Sequence, residues 1–404
     1  MIVCRDAAEA PPQAADAPLR IALTSPFAWP WVRRGAERTL NDLGLFLSRR
    51  GHEVTVFSTG PEDRVERREG VPYHLLRRRF DTGLRQFNGS HEFALRLQGR
   101  LAELEPDVVF AMSHFDAYAA LRAAAAARRR FPVVFFSVGV LTRRYFRAVP
   151  LDAWLFRTVA RDVAATVAVS RFAARAYESS FGRPATCLYP PVHIEAFAAA
   201  GTGRPDPPAG PRLVFPADAD DRRKGARLLC RALPRVLDRH PGARLLFAGN
   251  VSGPTREELL GELRRSGSAG AVDFAGLGRL EELPGTYRDA SAVVLPAVEE
   301  AFGMSLVESL AAGTPVVGAR HGGIPEIVDA PALGELFDPG RLSGEADNEE
   351  GLAGAILAVL ARGKTPGIVR ECRESARRFD LEHLGPRYED LLRRVAGAPA
   401  RPPR

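Results

Sequence analysis

The sequence predicts an α/β protein made of two doubly wound, Rossmann-like domains that face each other across a cleft. Its 404 residues exceed the size at which one hydrophobic core stops growing. Short β-rich runs alternate with helical stretches, which is typical of parallel sheets covered by helices. A segment dense in Gly and Pro interrupts this alternation near residue 200. Ligands of such sheets bind at the carboxyl ends of the strands, so the cleft is the expected site.

The first half of the chain shows this alternation after an irregular start. Residues 1–18 are rich in Ala and Pro without periodicity, and we expect a disordered tail there. The N-terminal Rossmann-like domain is predicted at residues 19–197. Its pattern indicates a helix near Glu37–Arg50 and the strands Leu19–Ser25, Glu53–Ser58, Asp107–Met112, Pro132–Val138, Thr166–Ser170 and Thr186–Tyr189.

The second half repeats the pattern after a linker. Residues 198–211 have no apolar period and are dense in Gly and Pro. A C-terminal Rossmann-like domain is predicted at 212–380, and residues 381–404 are expected to form a C-terminal helix that crosses back to the N-terminal domain, followed by a tail. The predicted strands are Arg212–Pro216, Ala243–Gly249, Ala271–Ala275, Ser291–Leu295 and Pro315–Ala319.

Apolar runs and cysteines exclude several classes of protein. Runs such as Val293–Ala297 are far shorter than the roughly 18 residues that a membrane-spanning helix needs. The charged N-terminus does not resemble a secretory signal. Four scattered cysteines argue against a disulfide framework and a zinc site. A cytoplasmic protein is therefore expected.

The positive charge is concentrated in the first half of the chain. The net charge is +7, and the excess of arginine lies before residue 200. This suits an acidic acceptor or peripheral contact with the anionic inner face of a membrane, and a solvated Arg-rich surface is the alternative. Arg77–Arg79 and Arg128–Arg130 are short clusters without interleaved aromatics. Nucleic acid is therefore not an expected partner.

The segment from residue 293 to residue 315 carries the clearest chemical signal. An apolar strand ends at Pro296, and a helix is predicted from Gly303 to Ala312. Glu308 is the one ionisable residue between Phe302 and Val317, and a buried carboxylate needs hydrogen-bond donors. It could accept the two hydroxyls of a ribose, or it could be the solvated position of a surface helix.

The start of this helix offers a second group of donors. Backbone N–H groups at Phe302, Gly303 and Met304 are available to a phosphate at a helix N-terminus. Glu300 precedes them on the loop and would lie toward the sugar end of the same ligand.

A lysine in an arginine-rich chain is the next candidate. Only Lys224 and Lys364 occur beside 54 arginines, and Lys224 follows Arg222 and Arg223. A compact ammonium suits a position between phosphate oxygens, although a lysine at the start of an exposed helix is the alternative. Arg222 or Arg223 could supply a second cation, with Arg223 preferred.

These residues together resemble glycosyltransferase family 4, whose members have the GT-B fold. The resemblance rests on Glu300-x7-Glu308, on Phe302-Gly303 and on the run His321-Gly322-Gly323-Ile324-Pro325-Glu326. It implies that Glu300 contacts the transferred sugar, that Glu308 holds the ribose and that Lys224 binds the diphosphate. The turn containing Gly323 and Glu326 would close the base and diphosphate region.

Two positions in the first half extend the resemblance. Residues 31–38 resemble the Gly-Gly-x-Glu-Arg loop of the family, with Arg34 in place of the first glycine, so Gly35 is expected to let the backbone approach the diphosphate. His114 falls where the family has a histidine near the transferred sugar. A buried structural histidine is the alternative.

The resemblance implies a retaining glycosyltransferase with a nucleotide-diphosphate-sugar as co-substrate and no other cofactor. Asp218-Ala219-Asp220 matches the Asp-x-Asp of metal-dependent transferases, but cationic side chains already stand at this place, and no metal is expected. A nucleotide-sugar epimerase or a glycosyl phosphorylase on the same architecture, and a non-catalytic basic protein that binds lipid or nucleic acid, are the alternatives. The acceptor is unknown, and the loops Arg77–Ser90 and Thr142–Val149 are expected to recognise it.

Overall fold

A computed structural model describes most of the chain as two parallel sheets covered by helices. The described residues are 17–27, 29, 32, 35–77, 89–143, 146, 150–198, 210–276, 278, 280–342 and 344–397. The predicted tail at 1–18 and linker at 198–211 lie almost wholly outside them. So do most of the two loops that are expected to recognise the acceptor, at 77–90 and 142–149.

The first sheet has eight strands in the order β3-β4-β2-β1-β5-β6-β7-β8, and all neighbours are parallel except β3 and β4. Its strands are β1 Arg20–Thr24, β2 Glu53–Gly60, β3 Arg64–Arg68, β4 Val71–Arg77, β5 Val108–Ala111, β6 Val133–Ser137, β7 Ala165–Ala168 and β8 Thr186–Cys187. Its helices are α1 Gly35–Arg49, α2 Gly89–Leu104, α3 His114–Ala126, α4 Pro150–Asp162, α5 Arg171–Phe181 and α6 Ile194–Ala198.

The second sheet has six parallel strands in the order β11-β10-β9-β12-β13-β14. Its strands are β9 Arg212–Phe215, β10 Arg244–Phe247, β11 Val272–Phe274, β12 Ala292–Leu295, β13 Val316–Ala319 and β14 Gly334–Phe337. Its helices are α7 Ala226–Leu237, α8 Gly253–Arg265, α9 Leu283–Arg288, α10 Met304–Ala311, α11 Glu349–Arg362, α12 Pro366–Ala376 and α13 Leu381–Gly397.

The central strands explain why the apolar pattern predicted the sheets. Every residue of β5, β6, β12 and β13 is buried, as expected for parallel strands that carry helices on both faces. Each predicted strand overlaps an observed one. The pattern missed β3, β4 and β14. Strand β3 is a charged edge strand, and a tight turn at Glu69 and Gly70, both at positive φ, joins it to β4.

Strand order fixes where a ligand can bind. Strand β1 lies between β2 and β5, and β9 lies between β10 and β12, so the connections run in opposite directions from each of these strands. At such a switch point the loops on either side diverge and leave a crevice at the carboxyl ends. The loops after β9 and β12 are therefore neighbours although they are far apart in sequence.

Helix α13 packs against the first sheet. Tyr388 on α13 donates its hydroxyl to the carbonyl oxygens of Leu188 and Tyr189 at 3.2 and 3.0 Å. Glu389 accepts from Arg50 at 3.0 Å and lies 3.2 Å from the His52 ring nitrogen. The last helix thus ties the end of the chain to the first sheet.

Two further expectations from the sequence concern membranes and cysteines. Among the described residues no single helix is long and apolar enough to cross a membrane. One pair of helices, Glu349–Arg362 and Pro366–Phe379, reaches that length and apolar composition only when the two are taken together, and they are bent by 117°. Cys230 and Cys372 are free thiols. Burial raises the pKa of the Cys230 and Cys372 thiols to about 12.

Candidate functional site

Lys224 and Glu300 meet at the switch point of the second sheet. Lys224 ends a helical turn at Arg222–Lys224 after β9, and its ammonium donates to a carboxylate oxygen of Glu300 on the loop after β12. The backbone N–H of Val298 donates to the carbonyl of Arg223 at 2.9 Å, which joins the two loops. The side chains of Lys224 and Glu300 are 26% and 13% exposed, so a ligand in the cleft can reach both.

The two arginines before Lys224 point to different partners. Arg223 forms a bidentate contact with Asp221, with its Nη2 at 2.7 Å and its Nε at 3.1 Å, and this raises the pKa of Arg223. Arg222 pairs with Glu258 on α8 at 3.6 Å and is 65% exposed. The charge of Glu300 also raises the pKa of Arg223, so Arg223 stays the preferred candidate for the second cation.

The turn at residues 321–323 positions Glu300. The N–H of Gly323 donates to the Glu300 carbonyl at 2.9 Å, and a Cβ at Gly323 would lie 2.4 Å from the Ala301 carbonyl oxygen. His321 accepts from the N–H of Glu299, a residue at positive φ, at 3.1 Å. Only glycine permits this approach, so the turn acts on the ligand site by fixing the loop that carries Glu300.

Helix α10 begins at the cleft and faces a second helix start. Gly303 is its N-cap at φ 106° and supplies no side-chain cap. Met304 lies against Gly35 at the start of α1, where a Cβ would be 2.5 Å from the Met304 sulfur. Two helix N-termini, one from each domain, therefore converge, and both favour a negatively charged ligand.

The side chain of Phe302 is part of the core. Its ring stacks on Tyr189 at 5.5 Å between centroids and meets Phe379 edge-on at 5.4 Å. Only 3% of the residue is exposed. Any contact of Phe302 with a ligand would therefore come from its backbone.

Glu308 is buried and paired across the cleft. The Nη1 of Arg38, on α1, donates to its Oε1 at 2.9 Å, and only 7% of Glu308 is exposed. Burial raises the pKa of Glu308, while the Arg38 charge and a hydrogen bond with Tyr287 oppose that rise. The alternative of a solvated surface position for Glu308 is wrong.

His114 begins α3 at the carboxyl end of β5 and is buried. Burial and the neighbouring His91 lower the pKa of His114 to about 4, so the ring is neutral at physiological pH. Its contacts include the rings of Phe115, Phe146 and Phe156. Its Nε2 is buried and finds no hydrogen-bond partner among the described residues. The ring could donate to or accept from a substrate hydroxyl, and it would do so as neutral imidazole.

Glu326 lies at the junction of the two domains. Its carboxylate accepts the backbone N–H groups of Arg171 at 3.0 Å and Phe172 at 2.8 Å, which open α5. The Tyr189 hydroxyl adds a third bond at 3.0 Å. The structure thus gives Glu326 protein partners from the first domain, and its contact with a ligand stays a prediction.

The Asp-x-Asp turn is also satisfied by protein groups. Asn250 donates to Asp218 and Asp220 at 3.2 Å each, and the Ser252 hydroxyl donates to Asp220 at 2.8 Å. Over the described ranges, no group of three or more His, Cys, Asp and Glu side chains is arranged to hold a metal ion. Metal independence itself stays a prediction.

Sequence analysis missed the groups that surround Glu308. Arg38 was visible only as the last residue of the loop motif, and Tyr287 and Asp42 carried no signal. The Asp42 carboxylate lies 3.7 Å from the Nε of Arg38, and burial raises its pKa. A buried carboxylate requires a donor, so a partner for Glu308 could be expected, but its identity depended on domain packing.

Comparison with solved structures identifies the fold. The fold matches sucrose-phosphate synthase from Thermosynechococcus elongatus with a TM-score of 0.76 and 19% identity, over 93% of this chain and 98% of that one. It matches Anabaena HepE in complex with UDP and glucose with a TM-score of 0.73 and 20% identity, over 93% and 100%. At such identities the likeness shows the fold, which is GT-B, the two-domain fold of nucleotide-sugar transferases.

Sequence comparison supplies the family. Residues 33–196 match the description "Glycosyltransferase Family 4", and residues 210–362 match "Glycosyl transferases group 1". The chain belongs to glycosyltransferase family 4, which confirms the resemblance.

Individual relatives match only parts of the chain. A D-inositol 3-phosphate glycosyltransferase of Corynebacterium jeikeium is 40% identical over 29% of this chain and 29% of its own length. A phosphatidyl-myo-inositol mannosyltransferase of Mycobacterium tuberculosis is 28% identical over 61% and 64%. The chain thus spans less than two thirds of the length of these relatives.

Proposed function

We propose that the protein is a retaining glycosyltransferase that moves a sugar from a nucleotide-diphosphate-sugar to an acceptor hydroxyl. The observation that carries this proposal is the Lys224–Glu300 pair beside the start of α10, at the switch point of the second sheet. A cation, a carboxylate and a helix N-terminus there suit a diphosphate with an attached sugar.

The expected chemistry is electrostatic. Lys224, Arg223 and the N-terminus of α10 would offset charge on the leaving diphosphate as the bond from the anomeric carbon to the phosphate oxygen breaks. The acceptor oxygen bonds to the anomeric carbon on the same face, and its proton passes to the leaving phosphate. Glu300 would orient the sugar, and neutral His114 would hydrogen-bond near it.

Relatives support a phosphorylated polyol or lipid-linked acceptor. Two of them are named for an inositol phosphate and a phosphatidylinositol. The arginine excess in the first half of this chain would attract such anionic acceptors. HepE, the fold relative solved with UDP and glucose, makes UDP-glucose a sensible first donor to test.

Substitution at the switch point tests the proposal. We expect Lys224→Ala and Glu300→Ala each to lower turnover at least about tenfold, equivalent to roughly 1.4 kcal/mol of barrier. The assay follows nucleoside diphosphate release from a panel of nucleotide-sugars with inositol phosphates as acceptors. Arg264→Ala and Glu257→Ala are controls, because this pair on α8 is exposed and 3.8 Å apart. Near-wild-type rates in both site variants would remove the proposal.

Retention and metal independence need their own measurements. The anomeric configuration of the first-formed product, followed by NMR, should match that of the donor. A chelator should leave the rate unchanged if protein cations alone stabilise the diphosphate. An inverted product or a chelator-sensitive rate would overturn the corresponding part of the proposal.

The alternative enzymes on this architecture fit the site less well. A phosphorylase would need a lysine to hold pyridoxal phosphate, but Lys364 donates to the carbonyl of Arg288 and the hydroxyl of Thr314. Burial lowers the pKa of Lys364 to about 8. An epimerase would convert the donor without any acceptor, which the same assay would detect.

We propose the outer surface of α2 and α4 as the contact with an anionic membrane at the inner face. Leu95 on α2 is 78% exposed, and Trp154 and Leu151 on α4 are 54% and 38% exposed. Arg157 and Arg161 follow on the exposed side of α4. Exposed Trp and Leu beside arginines suit an anionic lipid interface.

Vesicle binding tests this surface. The Leu151→Ala, Trp154→Ala double variant should bind vesicles of phosphatidylglycerol several-fold less than wild type. Vesicles of zwitterionic phosphatidylcholine, which carry no net charge, should bind neither protein. Leu342→Ala is the control, since Leu342 is 53% exposed on the second domain. Equal binding of the double variant and wild type would contradict the assignment.

A further inference from the structure

The ion pair between Arg38 and Glu308 joins the two domains where the ribose is proposed to bind. Arg38 lies on α1 of the first domain and Glu308 on α10 of the second, with 2.9 Å between Nη1 and Oε1. Their side chains are only 17% and 9% exposed. Water screens such a pair weakly, so the charge of each side chain depends on the other.

The surroundings of Arg38 hold its guanidinium in one orientation. Asp42, one turn further along α1, lies 3.7 Å from its Nε. The ring of Phe197 on α6 lies 5.2 Å from its central carbon. A carboxylate on one side, a second carboxylate near Nε and an aromatic face restrict the rotamers of an otherwise flexible side chain.

Of the groups that face Glu308, Arg38 is the cation that stabilises its buried negative charge. Within the described part of the chain these groups are Arg38 and Asp42 from α1 and Tyr287 from α9. Tyr287 supplies a neutral hydrogen bond, and the charge of Asp42 repels that of Glu308. Without Arg38, a buried Glu308 would take up a proton more readily and lose acceptor capacity.

We propose that Arg38 is a positioning residue for the nucleotide, because it keeps Glu308 charged and oriented to accept the two ribose hydroxyls. This inference rests on the proposed function, in which Glu308 holds the ribose. It adds that the nucleotide site of the second domain is completed by a side chain of the first. Nucleotide affinity then depends on the domain contact as well as on the second domain alone.

Nucleotide binding at several pH values tests this role. Dissociation constants of UDP and GDP are measured by calorimetry for wild type, Arg38→Gln and Arg49→Gln at pH 5.5, 7 and 8.5. Arg49 is a matched control on the same helix, 54% exposed, with Glu69 at 3.9 Å and Glu382 at 4.0 Å. We expect Arg38→Gln to bind at least about tenfold more weakly at pH 7, and more weakly again at pH 5.5 as Glu308 takes up a proton.

The steady-state constants separate positioning from catalysis. The donor KM of Arg38→Gln should rise with its dissociation constant, while kcat at saturating donor stays within about threefold, because the interaction is equal in ground and transition states. Equal nucleotide affinity and pH dependence in Arg38→Gln and wild type would overturn the inference and leave the proposed function standing. Failure of wild type to bind any nucleoside diphosphate would overturn both.

A second variant keeps the inference testable if Arg38→Gln fails to fold. If Arg38→Gln does not unfold cooperatively like wild type, Arg38→Lys replaces it. The ammonium keeps the charge but not the planar fork that meets both Glu308 and Asp42. A loss of about threefold in UDP affinity that does not steepen at pH 5.5 supports the inference. Unchanged affinity overturns it.

Discussion

Two glutamates of the second domain reach the first domain, and they do so by different means. Glu326 is held by two backbone N–H groups and the Tyr189 hydroxyl. Glu308 is held mainly by one side chain, that of Arg38. Both carboxylate oxygens of Glu326 accept backbone N–H groups at a helix start, whereas Arg38 donates to one oxygen of Glu308, Oε1. We therefore predict that Glu326 serves domain docking and that Glu308 serves the ligand.

The docking role of Glu326 follows from the donors of α5. An α-helix leaves its first N–H groups without intrahelical partners. Ser170 accepts the N–H of Ala173 with its hydroxyl and that of Ala174 with its carbonyl. Glu326 accepts the two that remain, those of Arg171 and Phe172. The second domain thus completes the cap of a first-domain helix.

The largest expected difference between the two glutamates is in donor binding. Glu308→Gln should raise the donor KM about 30-fold, or roughly 2 kcal/mol, because a neutral amide replaces the acceptor of two ribose hydroxyls. Glu326→Gln should change it less than about threefold. Steady-state kinetics with varied donor measures both. A similar rise in the two variants would return Glu326 to the donor site, where sequence analysis placed it.

The next effect is on stability. Glu326→Gln should lower the free energy of unfolding by about 2 kcal/mol, since the amide offers one acceptor where the carboxylate offers two and loses its charge at the helix start. Urea denaturation followed by circular dichroism measures the change. Glu374→Gln, 71% exposed on α12, should change stability by less than about 0.5 kcal/mol. An equal effect in the two variants would contradict the capping role.

The smallest effect concerns the third donor to Glu326. Tyr189→Phe removes a hydroxyl but keeps the ring that stacks on Phe302, so a loss of about 1 kcal/mol or less is expected in the same denaturation assay. Burial and the Glu326 charge raise the pKa of Tyr189 well above its usual range, so the hydroxyl keeps its proton. A larger loss than in Glu326→Gln would show that the hydroxyl does more than complete the cap.

The regular part of the fold was predictable because it repeats. Fully buried parallel strands such as β5 and β12 are continuous apolar runs, and the helix after β12 was placed within one residue at each end. Strands β3 and β14 were missed because edge strands bury little and carry charged or small residues. The hairpin at β3 is specified by its turn, whose signal is only two residues long.

The contacts of some candidate site residues were also predictable from the sequence, and those of others were not. The loops after β9 and β12 were predicted to share a ligand, and the strand order brings Lys224 and Glu300 into contact. Both residues follow strands, and carboxyl ends of parallel strands share one edge. The core packing of the Phe302 ring and the domain-junction contacts of Glu326 could not be predicted, because their partners include residues from the other half of the chain.

The sequence by itself determined the two-domain α/β architecture, the family and the residue types that flank the cleft. These follow from local periodicity and from motifs within about 30 residues. Only the tertiary structure decided which charges meet. Arg38 and Glu308 are separated by 270 residues, so no local sequence pattern could predict that they pair. Side-chain ion pairs act over a few ångströms, so the docking of α1 on α10 sets the environment of Glu308.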